Sequence, residues 1–498
     1  MIEHVARLFV SPTSVEWMRF AAVLLGLFAF IGVGESIRAV LRFSPEVTRK
    51  LVHVLTGILI FFTPKFFISA LPPLLMAVVF IAVNGLAIRL HLLKGMHGTG
   101  RSTYGTVYYP LAFLILVVLF WYSAPEIVSL SMLSLALGDA AAAIVGENMR
   151  NPTTYYLTSD RKSVEGSFAM FLSTAIALAF GMHFLLPAVW FSLALIILIA
   201  VAASTVATAC EALSARGLDN LTIPLSVAGV IHVYLYSPSP EIISQFTLGV
   251  SFGLAIAAVS FYAKFLSASG SVATFLLATA VYGLGGWKWT APILTFFVLS
   301  SLLSKVGRIK KSTLDSIFEK TGARDFFQVA ANGGLAGMLV VAQHVVPSVN
   351  FFPAYLGSVA AATADTWGTE VGLLSTQTPR LITSLKPVER GANGAVTWLG
   401  MFGGAIGACL VAATAFGFSA PLSFVLRAVV GGCVGAGVDS LLGATVQAEY
   451  QCVACHKRTE KSIHCDQPTE FLRGIHWIDN DVVNWCCVIS GAVVAALL

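Results

Sequence analysis

Asp139 stands in the run Gly138-Asp139-Ala140, inside an apolar stretch of the chain. A carboxylate at membrane depth is expensive without a partner, so its position calls for a function. The loop that follows, Arg161-Lys162-Ser163-Val164-Glu165-Gly166-Ser167, brings two cations, a hydroxyl, a carboxylate and two glycines. Those are the groups that hold phosphate and a metal. Lys162, Ser163 and Glu165 precede a helix start near Gly166, where backbone N–H groups favour anions. Glu147 lies eight residues beyond Asp139 on the same helical face. Such a carboxylate pair suits Mg2+, which takes a few carboxylates together with phosphate oxygens. Upstream, Arg49, Lys50 and His53 share one helix face at the membrane surface. Cations there suit the phosphates of a substrate held half in lipid. Plain alternatives stand beside each reading: topology anchors at 49–50, helix packing at Asp139, and a solvated loop at 161–167. No G-x-x-x-x-G-K-[ST] run occurs, so the loop is not a P-loop.

The elements that must position these groups are membrane helices. Of 498 residues, 57% are hydrophobic and 11% charged, which excludes an ordinary soluble protein. The expected fold is an all-α polytopic integral membrane protein with about 15–16 transmembrane helices in two bundles. The spans fall near 17–34, 51–63, 66–88, 106–122, 124–146, 167–184, 186–209, 219–236, 242–263, 267–285, 289–305, 327–346, 353–373, 397–416, 421–443 and 482–498. The second is short enough to be a half-helix ending at Pro64. The N-terminus lacks the basic start and cleavage site of a signal peptide, so the first span is expected to stay as an anchor. With the N-terminus outside, 25 of the 30 Lys and Arg fall in loops facing the cytoplasm, as the positive-inside rule requires. The net charge of +5 is therefore mostly a topology signal, and no basic stripe points to nucleic acid. The expected location is the prokaryotic cell membrane, with the active sites on the cytoplasmic face.

The Ser-Pro-Ser-Pro turn at Ser237–Pro240 divides the chain into domains 1–236 and 241–498, the latter with a Cys-rich cytoplasmic loop at 449–479. No internal repeat relates the halves, which argues against an inverted-repeat transporter. The second half has its own polar set. Lys305, Gly307, Lys310 and Lys311 form a basic cluster. Arg324 opens a span in which Gln328 and Asn332 share a face. Asp365 and Glu370 are five residues apart, about 140° on an ideal helix, so they share a face only if the helix breaks at Gly368. Asn393 and Gly394 belong to a tight turn, Asp439 ends a span and Asp481 begins the last. Carboxylates, cations and glycine turns suit phosphoryl transfer, and equally a cation-coupled transporter.

Cys210, Cys409, Cys433, Cys486 and Cys487 lie in or near spans and read as packing residues. Cys452 and Cys455, with His464 and Cys465 nine residues on, match a structural zinc site. Adjacent His464 and Cys465 are hard to bring to one ion, so His456 or His476 stands as an alternative to His464.

Three segments of the first half, RKLVH (49–53), GDAAAAIVGE (138–147) and RKSVEGS (161–167), resemble the group of dolichol kinases, phytol kinases and phosphatidate cytidylyltransferases. The resemblance covers roughly residues 20–235 and is nearer the prenol kinases. It implies that the segment of Gly138, Asp139 and Gly146, with the loop of Lys162, Ser163, Glu165 and Gly166, binds CTP and metal. Five segments of the second half resemble the TMEM19-type (DUF92) integral membrane family, whose plant plastid members are phytyl-phosphate kinases. They are SSLLSKVGRIKK (300–311), RDFFQVAANGG (324–334), ATADTWGTEVG (362–372), RGANGAVTWLG (390–400) and DSLLGATVQ (439–447). This resemblance implies that Lys305, Arg324, Asn332, Asp365, Glu370, Asn393 and Asp439 line a site.

The resulting expectation is a bifunctional isoprenoid-alcohol kinase. The first half phosphorylates a long-chain prenol such as phytol, geranylgeraniol or farnesol with CTP, and the second converts monophosphate to diphosphate. His53 or a carboxylate takes the alcohol proton. Lys162 and Ser163, with Arg49 and Lys50, bind phosphate, and Asp139 holds Mg2+. Asp365, Glu370, Asp439 and Asp481 are the metal-site carboxylates of the second half, and Lys305 and Arg324 are its phosphate clamps. The partners are prenyl alcohol and monophosphate, a nucleoside triphosphate and lipid. The rivals are a CTP-dependent cytidylyltransferase and a cation-coupled lipid transporter.

Overall fold

The computed structural model describes residues 6–41, 45–90, 103–186, 192–237, 239–305, 323–456, 458–460 and 463–498. The basic stretch with Gly307, Lys310 and Lys311 lies outside the described residues. The chain forms two compact units, Met1–Ile243 and Ser244–Leu498.

The first unit holds α1 (Ser14–Leu41), α2 (Pro45–Phe61), α3 (Leu71–Arg89), α4 (Gly105–Phe120), α5 (Pro125–Asn148), α6 (Val164–Leu185), α7 (Leu193–Leu213) and α8 (Asp219–Tyr236). Strands β1 (Thr154–Tyr156) and β2 (Arg161–Ser163) pair antiparallel between α5 and α6. The second unit takes up most of α9 (Pro240–Tyr262), then α10 (Ala268–Lys305), α11 (Phe326–Val345), α12 (Phe352–Gly372), α13 (Trp398–Ala413), α14 (Leu422–Thr445) and α15 (Asn480–Leu497). Its strands β3 (Arg380–Leu381) and β4 (Ala395–Val396) pair, and β5 (Glu449–Cys452), β6 (Arg458–Thr459), β7 (Ile463–His464) and β8 (Gln467–Arg473) form a sheet in the order β6-β5-β8-β7.

Among the described residues, eleven helices are long and apolar enough to cross a membrane. The fold is all-α and polytopic. In lipid the backbone must satisfy its own hydrogen bonds, which helices do. At 38 residues α10 would be about 57 Å long, far beyond one hydrocarbon core. Gly286, with φ 62° and ψ −162°, breaks it into two helices, matching the two apolar stretches of the sequence. The second span differs from expectation. Its helix starts six residues earlier than expected, at Pro45, and ends at Phe61. Pro64 belongs to the separate turn Thr63–Phe66, where a proline near the N-terminus costs no hydrogen bond.

Each unit is built around one helix that carries an aspartate. In the first it is α5, whose residues Ile127–Ala136 are all buried. Small residues let its neighbours close in. A Cβ on Gly57 would fall 2.2 Å from Ala136 Cβ, and one on Gly138 would meet Thr174 Oγ1 at 2.4 Å. In the second unit it is α12, buried from Tyr355 to Ala364 against α13, α14 and α15. Backbone contacts at Gly357, Gly431 and Gly491 hold α12, α14 and α15 together.

Candidate active sites

In the first unit, α2 and α5 bring Lys50 to Asp139, Nζ to Oδ2 at 2.5 Å. The same ammonium lies 3.4 Å from the Asp139 carbonyl oxygen. His53, one turn along α2, places Nε2 at 3.9 Å from Asp139 Oδ2. Nε2 is buried with no hydrogen-bond partner, and so is the Tyr109 hydroxyl, whose ring meets His53 edge-on at 4.7 Å. These groups close the polar end of a cavity of about 100 Å3. Arg49, Asn84 and Asn220 complete that end. Leu27, Ile31, Leu59, Met76, Phe80 and Phe113 line the rest. The cavity is thus polar at one end and apolar at the other.

A second charge group adjoins it. The β1–β2 hairpin carries Lys162 into place, with Nζ 2.5 Å from Glu211 Oε1 and 3.5 Å from Asp219 Oδ2. Burial works against the ammonium, yet Glu211 and Asp219 hold its pKa above the usual lysine range. Asp139 lies within electrostatic reach of both Lys162 and Glu211. Glu211 is buried, and its Oε2 has no partner.

Several expected site residues do other work. Glu147 is exposed whereas Asp139 is buried, and eight residues of helix separate them by about 12 Å, so they do not form one metal pair. Glu165 is turned to the surface, where both carboxylate oxygens accept the Thr153 N–H at 3.0 Å. Ser163 caps α6, its Oγ accepting the Gly166 N–H at 3.1 Å. Gly138, Gly146 and Gly166 are contact points between α5 and the α6 segment: a Cβ at Gly166 would fall 2.9 Å from the Ala142 carbonyl oxygen. The sequence reading missed Tyr109, Asn84, Asn220, Glu211 and Asp219. Glu211 was recoverable, because it too is an ionisable group in an apolar run.

In the second unit, the polar set divides in two. The α12 helix runs unbroken through Gly368, so Asp365 and Glu370 point different ways. Glu370 accepts from Ser304 Oγ at 2.6 Å and faces Arg324. Burial lowers the Arg324 pKa, and the Glu370 charge opposes that. Arg324 lies 5.5 Å over the Phe296 ring and, with Gln328 and Asn332, supplies polar groups to a second cavity of about 70 Å3. The remaining walls are mostly apolar, among them Phe252, Leu277, Ile293 and Phe297. On the other side of α12, the Asp365 and Asp439 carboxyls face each other at close range. Such a contact needs a shared proton or a cation. Asp439 Oδ1 and Asn393 Nδ2 are buried without partners. The Gly391–Gly394 turn lies on α14 beside Asp439: a Cβ at Gly394, where φ is 73°, would fall 2.5 Å from the Ser440 carbonyl oxygen. Asp481 is half-buried in the first turn of α15. Lys305 is not in either group. Its Nζ donates to the Ala263 carbonyl at 2.9 Å and sits 3.9 Å over the Phe265 ring.

The loop cysteines converge. Ligand atoms of Cys452, Cys455, His464 and Cys465 all lie within 4.8 Å of one another. His464 and Cys465 both belong to the cluster, because a two-residue turn at Cys465 (φ 53°) and Asp466 (φ 58°) folds β7 onto β8. His476 is elsewhere, bonded to the Tyr450 hydroxyl and stacked on Phe471.

Known proteins place the chain. The family model described as "Integral membrane protein DUF92" matches residues 251–492. Protein PGR of Arabidopsis thaliana is 33% identical over 267 residues, 47% of this chain and 89% of that protein. A phytol kinase of Synechocystis sp. is 30% identical over 223 residues, 43% of this chain and 89% of that protein. An uncharacterized membrane protein of Methanocaldococcus jannaschii is 36% identical over 160 residues, 32% of this chain and 65% of that protein. No solved structure matches the chain.

Proposed function

This chain belongs to the DUF92 integral membrane protein family, and from that premise we propose that it is a membrane kinase of long-chain isoprenoid alcohols. The first unit makes the monophosphate with CTP and the second makes the diphosphate. One observation carries the reading: the first-unit cavity is apolar along most of its length and ends on His53, Tyr109 and the Lys50–Asp139 pair. A prenol has that same division, an alcohol on a hydrocarbon chain. The cavity takes the carbinol end and its first isoprene carbons, and the remaining chain stays in lipid. The likeness to a phytol kinase supports the same substrate class.

The chemistry follows from the groups present. His53 Nε2 and the Tyr109 hydroxyl are among the unpartnered buried polar atoms of this cavity, and a carbinol between them would satisfy both. The carbinol oxygen bonds to the γ-phosphorus, the bond from that phosphorus to the β–γ bridging oxygen breaks, and CDP leaves. The carbinol proton passes to His53 Nε2, a transfer worth about 100- to 10,000-fold in rate. Lys162, held in place by Glu211 and Asp219, faces the nucleotide phosphates, and Lys50 orients Asp139. Magnesium fits this donor set in its usual form, a carboxylate or two plus phosphate oxygens, because Glu211 Oε2 is buried and unpartnered. Bound with Asp139 and Glu211, it would neutralise phosphate charge.

In the second unit, Arg324 closes one end of an apolar cavity, which fits a prenyl monophosphate. The Asp365–Asp439 pair and Asn393 are the groups for the incoming nucleotide. Successive action makes sense of one chain, since the first product is the second substrate. Both steps are assigned to the cytoplasmic face.

Labelled CTP tests the reading. A kinase passes the γ-phosphate to the prenol, and a second transfer gives the diphosphate. Retention of the α-phosphate in the lipid product would mean a cytidylyltransferase. Nucleotide-independent flux of prenol across vesicles would mean a transporter.

A further inference from the structure

We propose that Cys452, Cys455, His464 and Cys465 hold a zinc ion in a Cys3His tetrahedron, and that the metal fixes the 449–473 ribbon on the end of α14.

The four residues come from two turns of one sheet. Cys452 ends β5 and Cys455 lies in the turn to β6, while His464 ends β7 and Cys465 opens the turn to β8. Antiparallel pairing of β5 with β8 brings the turns together. A tetrahedral zinc with Zn–S near 2.3 Å and Zn–N near 2.0 Å needs ligand atoms about 3.5–3.8 Å apart. His464 Nδ1 lies 3.6 Å from Cys455 Sγ and 3.1 Å from Cys465 Sγ, so the side chains are already near those separations. The Cys455 N–H donates to Cys452 Sγ at 3.5 Å, which stabilises a thiolate there. Three thiolates and an imidazole select zinc over Mg2+ or Ca2+, which prefer oxygen.

The ribbon has little else to hold it. Its strands are two to seven residues long, and five of the seven residues in β8 are exposed, Phe471 and Leu472 among them. A sheet this small does not bury enough apolar area to be stable alone. Its contacts with the helix end are specific. Arg473 of β8 donates to Glu449 Oε2 of β5 at 2.5 Å within the ribbon, and to the Ala444 carbonyl at the helix end at 2.7 Å. Gln447 Nε2 donates to Glu460 Oε1 at 2.7 Å, and the Glu460 charge reaches Asp439. The metal would therefore secure the segment that borders the Asp365–Asp439 pair.

Full-length protein purified in detergent under reducing conditions should contain about one zinc per chain. Cobalt substitution should give thiolate-to-cobalt charge-transfer absorption. Cys455→Ser and Cys465→Ser should each lose most of the metal and weaken that absorption, while Cys486→Ser, in α15, should keep both. Mass-spectrometric alkylation of the wild-type chain needs no variant: Cys452, Cys455 and Cys465 should be protected until a chelator is added. Wild-type protein that takes up neither zinc nor cobalt, stoichiometric iron in place of zinc, or alkylation of the three thiols at the same rate with and without chelator would overturn the assignment. None of these measurements reads kinase activity, so they stand apart from the proposed function.

Discussion

Lys50 Nζ lies 2.5 Å from Asp139 Oδ2, a buried ion pair that ties α2 to α5 at the polar end of the first-unit cavity. Both side chains are 12% exposed, so neither charge has water to replace its partner. Losing one partner of such a pair costs about 3–5 kcal/mol, whereas replacing both with apolar groups is close to neutral. Lys50→Met should therefore lower the thermal stability of the detergent-solubilised protein sharply, and Lys50→Met with Asp139→Leu should recover most of the loss. Melting curves of the four proteins form the test. A double variant as unstable as the sum of the singles would mean the two residues are not coupled.

His53 should act on rate more than on binding. Its Nε2 has no hydrogen-bond partner, so His53→Gln keeps the bulk and loses the base. We expect kcat for prenol phosphorylation to fall about 100-fold or more, with KM changed little. A matched rise in KM at constant kcat would make His53 a binding residue only.

The apolar end should set chain selectivity. Ala77 lines the cavity and is 2% exposed. Ala77→Phe should shift the kcat/KM ratio toward shorter prenols by roughly tenfold, the scale of a methylene or two in a pocket. Equal losses for short and long alcohols would place the prenyl chain elsewhere.

On the second unit, the opposite sides of α12 should separate by kinetics. Arg324→Ala should raise KM for the prenyl monophosphate, and Arg324→Lys should restore only part of it, since a planar fork is lost. Asp365→Asn should lower kcat for the same step and make monophosphate accumulate from prenol. Normal diphosphate output from Asp365→Asn would remove the carboxylate pair from the chemistry.

The membrane helices were legible because apolar length is a strong signal, and among the described residues every expected span corresponds largely to helix. The cost of a buried charge pointed to Asp139, and the same rule applied to Glu211 would have found the Lys162 partner. Roles within the 138–167 region were less legible. Ser163, Gly146 and Gly166 pack α5 against the α6 segment, because a glycine or a capping serine serves close approach as well as it serves a phosphate. Spacing along one helix also misled. Glu147 shares the Asp139 face but lies about two turns away, outside the buried layer. The angular argument for Asp365 and Glu370 did hold, since α12 is continuous. The convergence of His464 with Cys465 depended on a left-handed two-residue turn, which no spacing rule shows.

The most direct measurement uses full-length Asp139→Asn protein, assayed side by side with a prenol and with its monophosphate. Prenol phosphorylation should fall more than 100-fold, while conversion of supplied monophosphate to diphosphate stays near wild type. Wild-type phosphorylation of the prenol by a well-folded variant would contradict the role of Asp139, and loss of both steps together would contradict the division of labour between the two units.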